Sequence, residues 1–378
     1  MFNITVSCPG KVILHGEHSV VYKKPALAAA IGIRAKASLE INETNEINLN
    51  YSNIDLNFTL QLCEFQKFYS EVSKGHNVTE EEILYAVKCF VEVHTKDRKL
   101  EFQKANSIVA TFFLLTSILL DRKLDELEFG FDIEIKSDIK IGAGLGSSAS
   151  FGVCLSACLL KFIKFLSKSE DLIDIHSEAS RYAFLSEKVM HGKPSGVDNT
   201  VCAFGNIIKF SPGEGTEVIN MKEKLPILLI DTNVSRSTAK LVQQVSELKQ
   251  DLPNVIDHIL CAMGEIVKAA VPIYENYTAT DYEKFNCIER FVTINNNLLR
   301  AIGVSHKSLE EIFEIASQHG FSCKLTGAGG GGFAIIVLPH DYKASENFKL
   351  LCQTLNEKQY GYIETVVGDN GIKFESNI

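Results

Sequence analysis

The sequence predicts a two-domain protein that combines β-strands with α-helices, and three observations lead to this expectation. At 378 residues the chain is longer than one hydrophobic core usually serves. Strand-like runs fill its first 60 residues, and stretches with helical spacing of apolar residues follow. Residues 211–223 are rich in glycine, proline and charge, as a domain boundary is. We therefore expect domains at residues 1–222 and 223–378.

Short strands are expected to build the first part of the chain. Apolar runs separated by polar turn residues predict strands over 3–7, 35–41, 46–51 and 55–60. Later runs predict strands over 129–135, 206–210, 227–231 and 333–338. The strand over 129–135 leads directly into a glycine-rich loop, so this loop connects a strand to the helix that follows it.

Helices are expected between these strands and through most of the second half. Thr79 and Glu82 have the spacing of a capping box ahead of an apolar stripe. A second helix is predicted over about 104–120. Its uncharged part carries several polar residues and is shorter than the roughly 20 residues of a membrane span, so we interpret it as a core helix.

Two further helices are expected after the glycine-rich loop. The first covers 148–166 and is apolar along its length. The second is predicted to begin at a Ser169 cap, to include Leu172 on its apolar face, and to end at Gly192 and Pro194.

Composition and charge narrow the classes of function. The net charge of -9 disfavours a general role on nucleic acid or anionic membranes, so the expected partners are small molecules. The ten cysteines form no CxxC pair and several lie in apolar runs, which favours free buried thiols in a reducing compartment. The first residues have no export or lipidation pattern, so we expect a cytoplasmic protein.

The glycine-rich loop is the strongest candidate for a ligand site; its residues are Gly142, Ala143, Gly144, Leu145, Gly146, Ser147 and Ser148. Glycines let successive backbone N–H groups converge on an anion, and the helix N-terminus adds partial positive charge. The loop matches neither common nucleotide motif, because no lysine follows it and Ser147 stands where the dinucleotide motif has its third glycine. We interpret it as a phosphate site; a tight turn without a ligand is the alternative.

Residues 9–18, PGKVILHGEH, place charged and imidazole side chains near the start of the chain. Lys11 follows a Pro-Gly turn and fits either a site residue or a solvated surface lysine. A metal site at His15 and His18 is disfavoured, because the HExxH arrangement is missing and Gly16 interrupts any helix that would bring both rings together.

Residues 187–199 contain two carboxylates separated by a turn. Gly192, Pro194 and Gly196 can fold Asp198 back towards Glu187. Beside a phosphate loop, one carboxylate can bind Mg²⁺ while the other accepts the proton of an attacking hydroxyl. Spacing alone leaves open a helix-surface Glu187 and an Asx-turn Asp198.

Residues 324–332, KLTGAGGGG, form a second glycine-rich segment. These glycines are too many for a simple hairpin and predict close approach of the backbone to a ligand or to another loop. A flexible linker fits less well, since a predicted strand follows at once.

Together these four segments resemble, in order and rough spacing, the motifs of the kinase superfamily that contains galactokinase, homoserine kinase, mevalonate kinase and phosphomevalonate kinase. They are most similar to the mevalonate kinase family, through PGKVILHGEH, GAGLGSSA, HGKPSGVDN and KLTGAGGGG. The resemblance implies a two-domain α+β fold. In this fold an N-terminal domain like ribosomal protein S5 domain 2 and a ferredoxin-like C-terminal domain enclose the active site. It also implies a homodimer that uses ATP and Mg²⁺ to phosphorylate the 5-hydroxyl of (R)-mevalonate.

The resemblance assigns roles to individual residues. Asp198 is implied to be the base that takes the substrate hydroxyl proton, with Lys11 as its ion partner. The loop from Gly142 to Ser147 is implied to wrap the β- and γ-phosphates, and Ser148 and Glu187 to bind Mg²⁺. The implied substrate-binding residues are Lys11, Glu17, His18, Asp198, Arg236 and Thr238.

The sequence departs from the family pattern at the start of the phosphate loop. Lys140 and Ile141 stand where two prolines are usual, and prolines would rigidify this segment. Lys140 can also add positive charge near the nucleotide. Phe333 follows the late glycines where a small residue is more usual, without removing a catalytic group.

Two other functions remain open at this point. A sugar or inositol-type kinase would share the phosphate loop, but galactokinase-like chains tend to carry an arginine and a GEHTDY run in place of Lys11 and HGEH. A ligand sensor without kinase activity is disfavoured because Lys11, Ser148, Glu187 and Asp198 are all present.

Overall fold

The structure, a computed structural model, describes residues 2–75, 78–96, 100–168, 172–191 and 195–375. Within these ranges the strands are β1 (Asn3–His15), β2 (Ala26–Asn42), β3 (Glu46–Tyr51), β4 (Leu56–Gln61), β5 (Gly130–Ser137), β6 (Ile207–Ser211), β7 (Gly215–Ile219), β8 (Leu225–Asp231), β9 (Cys323–Leu325), β10 (Phe333–Val337), β11 (Gly361–Val367) and β12 (Lys373–Glu375). The helices are α1 (Leu62–Ser73), α2 (Glu80–Thr95), α3 (Phe102–Asp121), α4 (Ser147–Ser167), α5 (Ile175–His191), α6 (Val197–Phe204), α7 (Thr238–Asp251), α8 (Pro253–Glu275), α9 (Tyr282–Ala301), α10 (Lys307–Gln318) and α11 (Glu346–Glu357).

A mixed sheet runs through both halves of the chain. Its strand order is β4-β3-β5-β2-β11-β8-β10-β9, and β1 pairs with both β2 and β12. The two halves meet where β11 pairs with β2 at Val367 and Ile31. Because β12 pairs with β1, the last described strand returns to the first half. Thr5, Val6 and Ser7 of β1 therefore lie next to residues from the end of the described chain.

Two hydrophobic cores lie on either side of β8. Leu225, Ile227 and Leu229 pack into the larger core, whereas Leu228 and Ile230 pack into the second one. Successive strand residues point to opposite faces, so a strand between two cores is apolar at every position. This arrangement explains the continuous apolar run at the start of the second half.

The longest apolar helices of the first half are core helices. Both α3 and α4 are long and apolar enough to cross a membrane by length and composition, yet in each 72% of the most hydrophobic window is buried inside the protein. This burial confirms the interpretation of residues 105–120 as part of a core helix.

Most predicted elements are present, with local differences. The Thr79 capping box is confirmed: Thr79 N donates to Glu82 Oε2 (2.8 Å) and Glu82 N to Thr79 Oγ1 (3.3 Å). The placement of Leu172 on an apolar helix face is wrong, because α5 begins three residues later and Leu172 is fully exposed. The expected ends of that helix, Ser169, Gly192 and Pro194, lie outside the described residues.

The prediction names no helix at α1 or α6, and several strands also differ from it. β1 extends to His15, well beyond the predicted 3–7, because it continues through an irregular register at Gly10. The stretch 211–223 contains β7, which forms a hairpin with β6 and is too polar to stand out in the sequence. β9, β11 and β12 are also absent from the prediction, since short strands held by tertiary pairing carry little periodic signal.

Candidate active site

The first strand contacts the glycine-rich loop of residues 142–148, the phosphate loop, through its backbone. Lys11 N donates a hydrogen bond to Leu145 O at 2.8 Å. A Cβ on Gly10 would lie 2.8 Å from the same carbonyl oxygen, so the close approach of strand and loop requires glycine there. The irregular register of β1 at Gly10 thus places Lys11 directly against the loop.

Lys11 and Asp198 form the ion pair at the centre of the site. Lys11 Nζ lies 3.2 Å from Asp198 Oδ2, with the lysine side chain 9% exposed and the aspartate 33% exposed. Asp198 is in the first turn of α6, after Gly196 in a left-handed conformation (φ 81°). The pair therefore holds a carboxylate at the edge of solvent, where a substrate can reach it.

Glu187 lies near this pair, as the turn signals in the sequence predict. Burial, followed by the negative charge of Asp198, raises the pKa of Glu187 to about 7, while a hydrogen bond from Ser148 and the charge of Lys11 act in the opposite direction. The Asn199 amide, oriented to satisfy both of its polar atoms, donates to Glu187 Oε2 at 3.3 Å and accepts from Phe184 N at 3.0 Å. Two carboxylates crowded together in this way create a need for positive charge.

The donor set beside the loop fits a hard cation. Ser148 contacts the Glu187 carboxylate, and its hydroxyl oxygen lies 3.2 Å from Met190 Sδ. Hydroxyl and carboxylate oxygens are ligands that Mg²⁺ accepts, usually with water and substrate phosphates completing its shell. Among the described residues no group of three or more His, Cys, Asp or Glu could hold a metal by itself.

The phosphate loop has the backbone that its glycines predict. Gly142, Gly144 and Gly146 all have positive φ, at 74°, 77° and 78°. A Cβ on Gly144 would lie 2.0 Å from Arg236 Nη2, and one on Gly146 would lie 2.8 Å from Lys11 Cγ, whereas nothing lies within 4 Å at Gly142. The loop ends at the N-terminus of α4, whose first N–H groups are unpaired within the helix and suit an anion.

Arg236 connects the two glycine-rich segments. Its Nη1 donates to Thr326 O at 2.8 Å, and its Nη2 is 3.4 Å from Ala143 O in the phosphate loop. Cβ atoms on Gly327 and Gly332 would each lie 2.8 Å from this guanidinium. The late glycines therefore make room for an arginine, which confirms the prediction of close backbone approach.

The HGEH run is held by the second half of the chain. Lys324 Nζ forms an ion pair with Glu17 Oε1, and Asn295 Nδ2 donates to Glu17 Oε2 at 3.0 Å. Glu17 and Lys324 are each 1% exposed. His18 is paired through Nε2 with Ala328 O at 2.8 Å, and burial lowers its pKa. These contacts fix the turn after β1 against the late glycines.

His15 takes part in a buried hydrogen bond. Its Nε2 lies 3.0 Å from Tyr274 OH, and burial, helped by the charge of Lys324, holds its pKa well below the ordinary range. The second ring nitrogen, Nδ1, has no partner among the described residues. His15 and His18 thus have separate hydrogen-bond partners.

Thr238 is less closely connected to the centre of the site. It is exposed at the first residue of α7, after the Ser237 cap, and the contacts of the described residues do not link it to Lys11 or Asp198. Conversely, sequence reasoning missed Asn199 and Asn295 as partners of Glu187 and Glu17. The only available signal was the position of Asn199 next to Asp198, because Asn295 comes from a distant helix.

The assembled site can bind a polyphosphate and receive a proton next to it. Backbone N–H groups of the loop and of α4 provide the anion site, Ser148 and Glu187 provide hard oxygen ligands, and the Lys11–Asp198 pair provides a cation and a base. This combination suits phosphoryl transfer to a hydroxyl.

Known proteins share this arrangement of segments. The sequence matches the GHMP kinases N terminal domain over residues 110–206 and the GHMP kinases C terminal family over residues 280–349. It is 35% identical over 391 residues to a mevalonate kinase of Gibberella zeae, spanning 97% of this chain and 76% of that protein. It is 32% identical over 397 residues to a mevalonate kinase of Dictyostelium discoideum, spanning 98% and 96%.

A solved structure has the same fold. The crystal structure of L. major mevalonate kinase in complex with R-mevalonate superposes with a TM-score of 0.67, covering 97% of this chain and 96% of that one. The two sequences are 23% identical, so this likeness bears on the fold alone. It agrees with a two-domain α+β architecture made of a mixed sheet and helices.

Proposed function

The chain belongs to the mevalonate kinase family of the GHMP kinases, and from this premise we propose that it is an ATP-dependent kinase of (R)-mevalonate. It transfers the γ-phosphoryl group of ATP to the 5-hydroxyl, giving 5-phosphomevalonate and ADP. The observation that carries this proposal is the 3.2 Å contact of Lys11 with Asp198, next to a loop of three glycines with positive φ.

Catalysis in this proposal depends on positioning and charge. The loop from Gly142 to Ser147 and the N-terminus of α4 hold the β- and γ-phosphates through backbone N–H groups. Lys11 keeps Asp198 in place and stabilises negative charge near the transferred group. The oxygen of the 5-hydroxyl attacks the γ-phosphorus while Asp198 takes the hydroxyl proton. The bond between the γ-phosphorus and the bridging oxygen of the β-phosphate breaks, which releases ADP.

Mg²⁺ is proposed as the cofactor, with Ser148 and Glu187 as its protein ligands. When bound, it neutralises the phosphate charge that develops during transfer. The raised pKa of Glu187, about 7, supports this assignment, because a neighbouring cation would favour the ionised carboxylate that burial and Asp198 disfavour.

The substrate pocket is proposed to lie around the turn after β1. We assign it Lys11, Glu17, His18, Asp198, Arg236 and Thr238. Because Lys324 and Asn295 engage both oxygens of Glu17, this residue contributes mainly by orienting His18. Arg236 supports the phosphate loop through its bond to Ala143 O.

We also propose fold classes for the two domains and an oligomeric state. The N-terminal domain, residues 1–222, is assigned to the class of ribosomal protein S5 domain 2, and residues 223–378 to the ferredoxin-like class. The return of β12 to β1 means that the end of the second unit closes onto the first. A cytoplasmic homodimer is expected.

The test is an assay of ADP release with a single phosphoryl acceptor at a time. Purified protein with ATP and Mg²⁺ is offered mevalonate, phosphomevalonate, galactose or homoserine, and ADP is followed by a coupled reaction. We expect turnover with mevalonate alone. Turnover with galactose in its place would favour a sugar kinase, and ATP turnover at background with every acceptor would favour a ligand sensor.

A further inference from the structure

Lys140, which replaces a usual proline before the phosphate loop, has a defined partner in the second half of the chain. Its ammonium forms an ion pair with Asp231 Oδ2, across 91 residues of sequence. The lysine side chain is 55% exposed, whereas the aspartate is 15% exposed. The pair therefore joins a long, largely exposed lysine to an aspartate that is mostly buried.

Asp231 is held firmly in place. It is the last residue of β8, which lies between β10 and β11 in the sheet, and it stands opposite Phe333 and Gly361 in the two pairings. Its second oxygen, Oδ1, accepts a hydrogen bond from Asn233 N at 2.8 Å. A carboxylate anchored in this way can set the position of a lysine that reaches it.

The segment that leads into the phosphate loop is anchored as far as Ile139, which is 1% exposed in the larger core, and Asp138 N donates to Arg34 O at 3.0 Å. Ser137, at the end of β5, exchanges two 2.7 Å hydrogen bonds with Asn53. Further along, Ile141 is 41% exposed, and nothing lies within 4 Å of a Cβ placed on Gly142. After Gly142 the loop is held again by Arg236, whose Nη2 lies 3.4 Å from Ala143 O. Lys140 is thus a charged tether between the buried Ile139 and the open residues Ile141 and Gly142.

Both tethers originate from one short stretch. Asp231 holds Lys140, and Arg236, five residues later, holds Ala143. The end of β8 and the connection that follows it therefore contact the phosphate loop and the residue before it at two points, Ala143 and Lys140.

We propose that Lys140 and Asp231 are positioning residues that preorganise the phosphate loop for ATP, doing electrostatically what prolines do covalently at these positions. The inference rests on the proposed function, since it assumes that the loop binds ATP. A loop already held in its binding conformation loses less conformational freedom when the nucleotide binds, so affinity rises. An ion pair also makes this preorganisation sensitive to salt, which proline would not be.

The competing role for Lys140 is direct contact with the nucleotide. In that case Asp231 would compete with ATP for the ammonium, and its neutralisation would strengthen nucleotide binding. Under the positioning role the same change weakens binding. The two roles therefore predict opposite signs for one conservative substitution.

The experiment measures equilibrium binding of the non-hydrolysable analogue β,γ-imido-ATP with Mg²⁺ by calorimetry, without mevalonate. The variants are Lys140→Gln, Asp231→Asn, both together, and the reversed pair Lys140→Asp with Asp231→Lys. Lys209→Gln is the matched control, because Lys209 makes a comparable 2.9 Å pair with Glu217 in the β6–β7 hairpin. Thermal unfolding checks that each variant folds.

We expect each single substitution to raise the Kd by about twofold to fivefold, as for a partly exposed ion pair. The double variant should be no weaker than either single variant, the reversed pair should recover affinity, and Lys209→Gln should match the parent protein. At about 500 mM salt the difference between the parent and the double variant should shrink towards zero. In turnover assays the KM for ATP should rise while kcat stays unchanged.

The inference would be overturned if Asp231→Asn left the affinity for β,γ-imido-ATP unchanged or increased it. It would also be overturned if the fold-changes in Kd of the two single variants multiplied in the double variant. Binding changes that follow the expected pattern in a protein without mevalonate turnover would refute the proposed substrate while supporting the positioning pair. If the protein turned over mevalonate but nucleotide binding were unaltered in every variant, the proposed substrate would be supported and the positioning pair refuted.

Discussion

At the residue scale, the Lys11–Asp198 pair is where the chemistry of the site is concentrated. The carboxylate is partly exposed beside a lysine that is almost buried, so its position is set by the protein and its open side faces solvent. Sequence spacing left Asp198 open as a turn residue. Its contact with Lys11 removes that ambiguity about placement, while the role of base remains a prediction.

We predict that Asp198→Asn lowers kcat by about 10²- to 10⁴-fold, because loss of general-base catalysis typically has this effect. The asparagine keeps the shape of the side chain, so nucleotide binding should be preserved. Single-turnover ADP formation and binding of β,γ-imido-ATP measure the two quantities. A variant with near-normal kcat would exclude Asp198 as the base.

Glu187 makes stability depend on pH. Its pKa in the folded protein, about 7, lies above its ordinary value, so the protonated form stabilises the fold at low pH. That stabilisation is complete below the ordinary carboxyl pKa and is lost as pH rises through about 7.

We therefore predict that Glu187→Gln stabilises the protein without divalent cations at pH 8, by on the order of 1–3 kcal/mol, and has little effect near pH 5. Thermal unfolding of both proteins across this pH range is the measurement. The same variant should lose the extra stabilisation that Mg²⁺ and ATP give the parent. A difference in stability that is the same at both pH values would contradict the assigned pKa.

At the element scale, the phosphate loop combines backbone conformation with crowding. Gly142 and Gly144 have nearly the same positive φ, but only Gly144 faces a neighbour, the Arg236 guanidinium. The two positions therefore separate the effect of left-handed backbone from the effect of space.

We predict that Gly142→Ala destabilises the protein by about 1 kcal/mol, the strain of a left-handed alanine. Gly144→Ala should destabilise it more and should also weaken ATP binding, since the added Cβ displaces Arg236 and with it the contact to Ala143 O. Urea unfolding and nucleotide titration of both variants test this. Equal effects at the two positions would mean that Arg236 moves aside freely.

Elements with strong local signals were predicted well from sequence. The capping box at Thr79, the core helix α3 and the strand-loop-helix around the phosphate loop depend on near neighbours, which sequence patterns report. β7, β9 and β12 are short and gain their stability from pairing with distant strands. The periodicity of apolar residues therefore does not predict such strands.

At the scale of the whole molecule, a buried ion pair joins the two halves. Glu17 in the turn after β1 pairs with Lys324 in β9, across 307 residues, and both are almost completely buried. Lys324 also donates to Leu325 O at 2.6 Å. The turn carrying His18 is thus anchored in the second half of the chain.

We predict that Glu17→Gln destabilises the protein by about 3–5 kcal/mol, because it leaves the buried Lys324 charge without its partner. Replacing both residues by methionine should recover much of that loss, since it removes the uncompensated charge. Urea unfolding of the two variants measures this. If Glu17→Gln were as stable as the parent, the two side chains would not form an ion pair in solution.

The sequence by itself determined the residue types of the site and the local backbone that presents them. The phosphate loop follows from glycine placement and a helix start, and the turn residues between Glu187 and Asp198 bring these two carboxylates towards each other; both signals act over a few residues. The site roles of Lys11, Glu187 and Asp198 came from the resemblance to the kinase family. Only the tertiary structure decided that Arg236 lies between the glycine-rich segments, that Glu17 is occupied by Lys324, and that Lys140 reaches Asp231. Such contacts join segments that are far apart in the chain, and their geometry depends on how the sheet and the two cores pack, which no local pattern encodes.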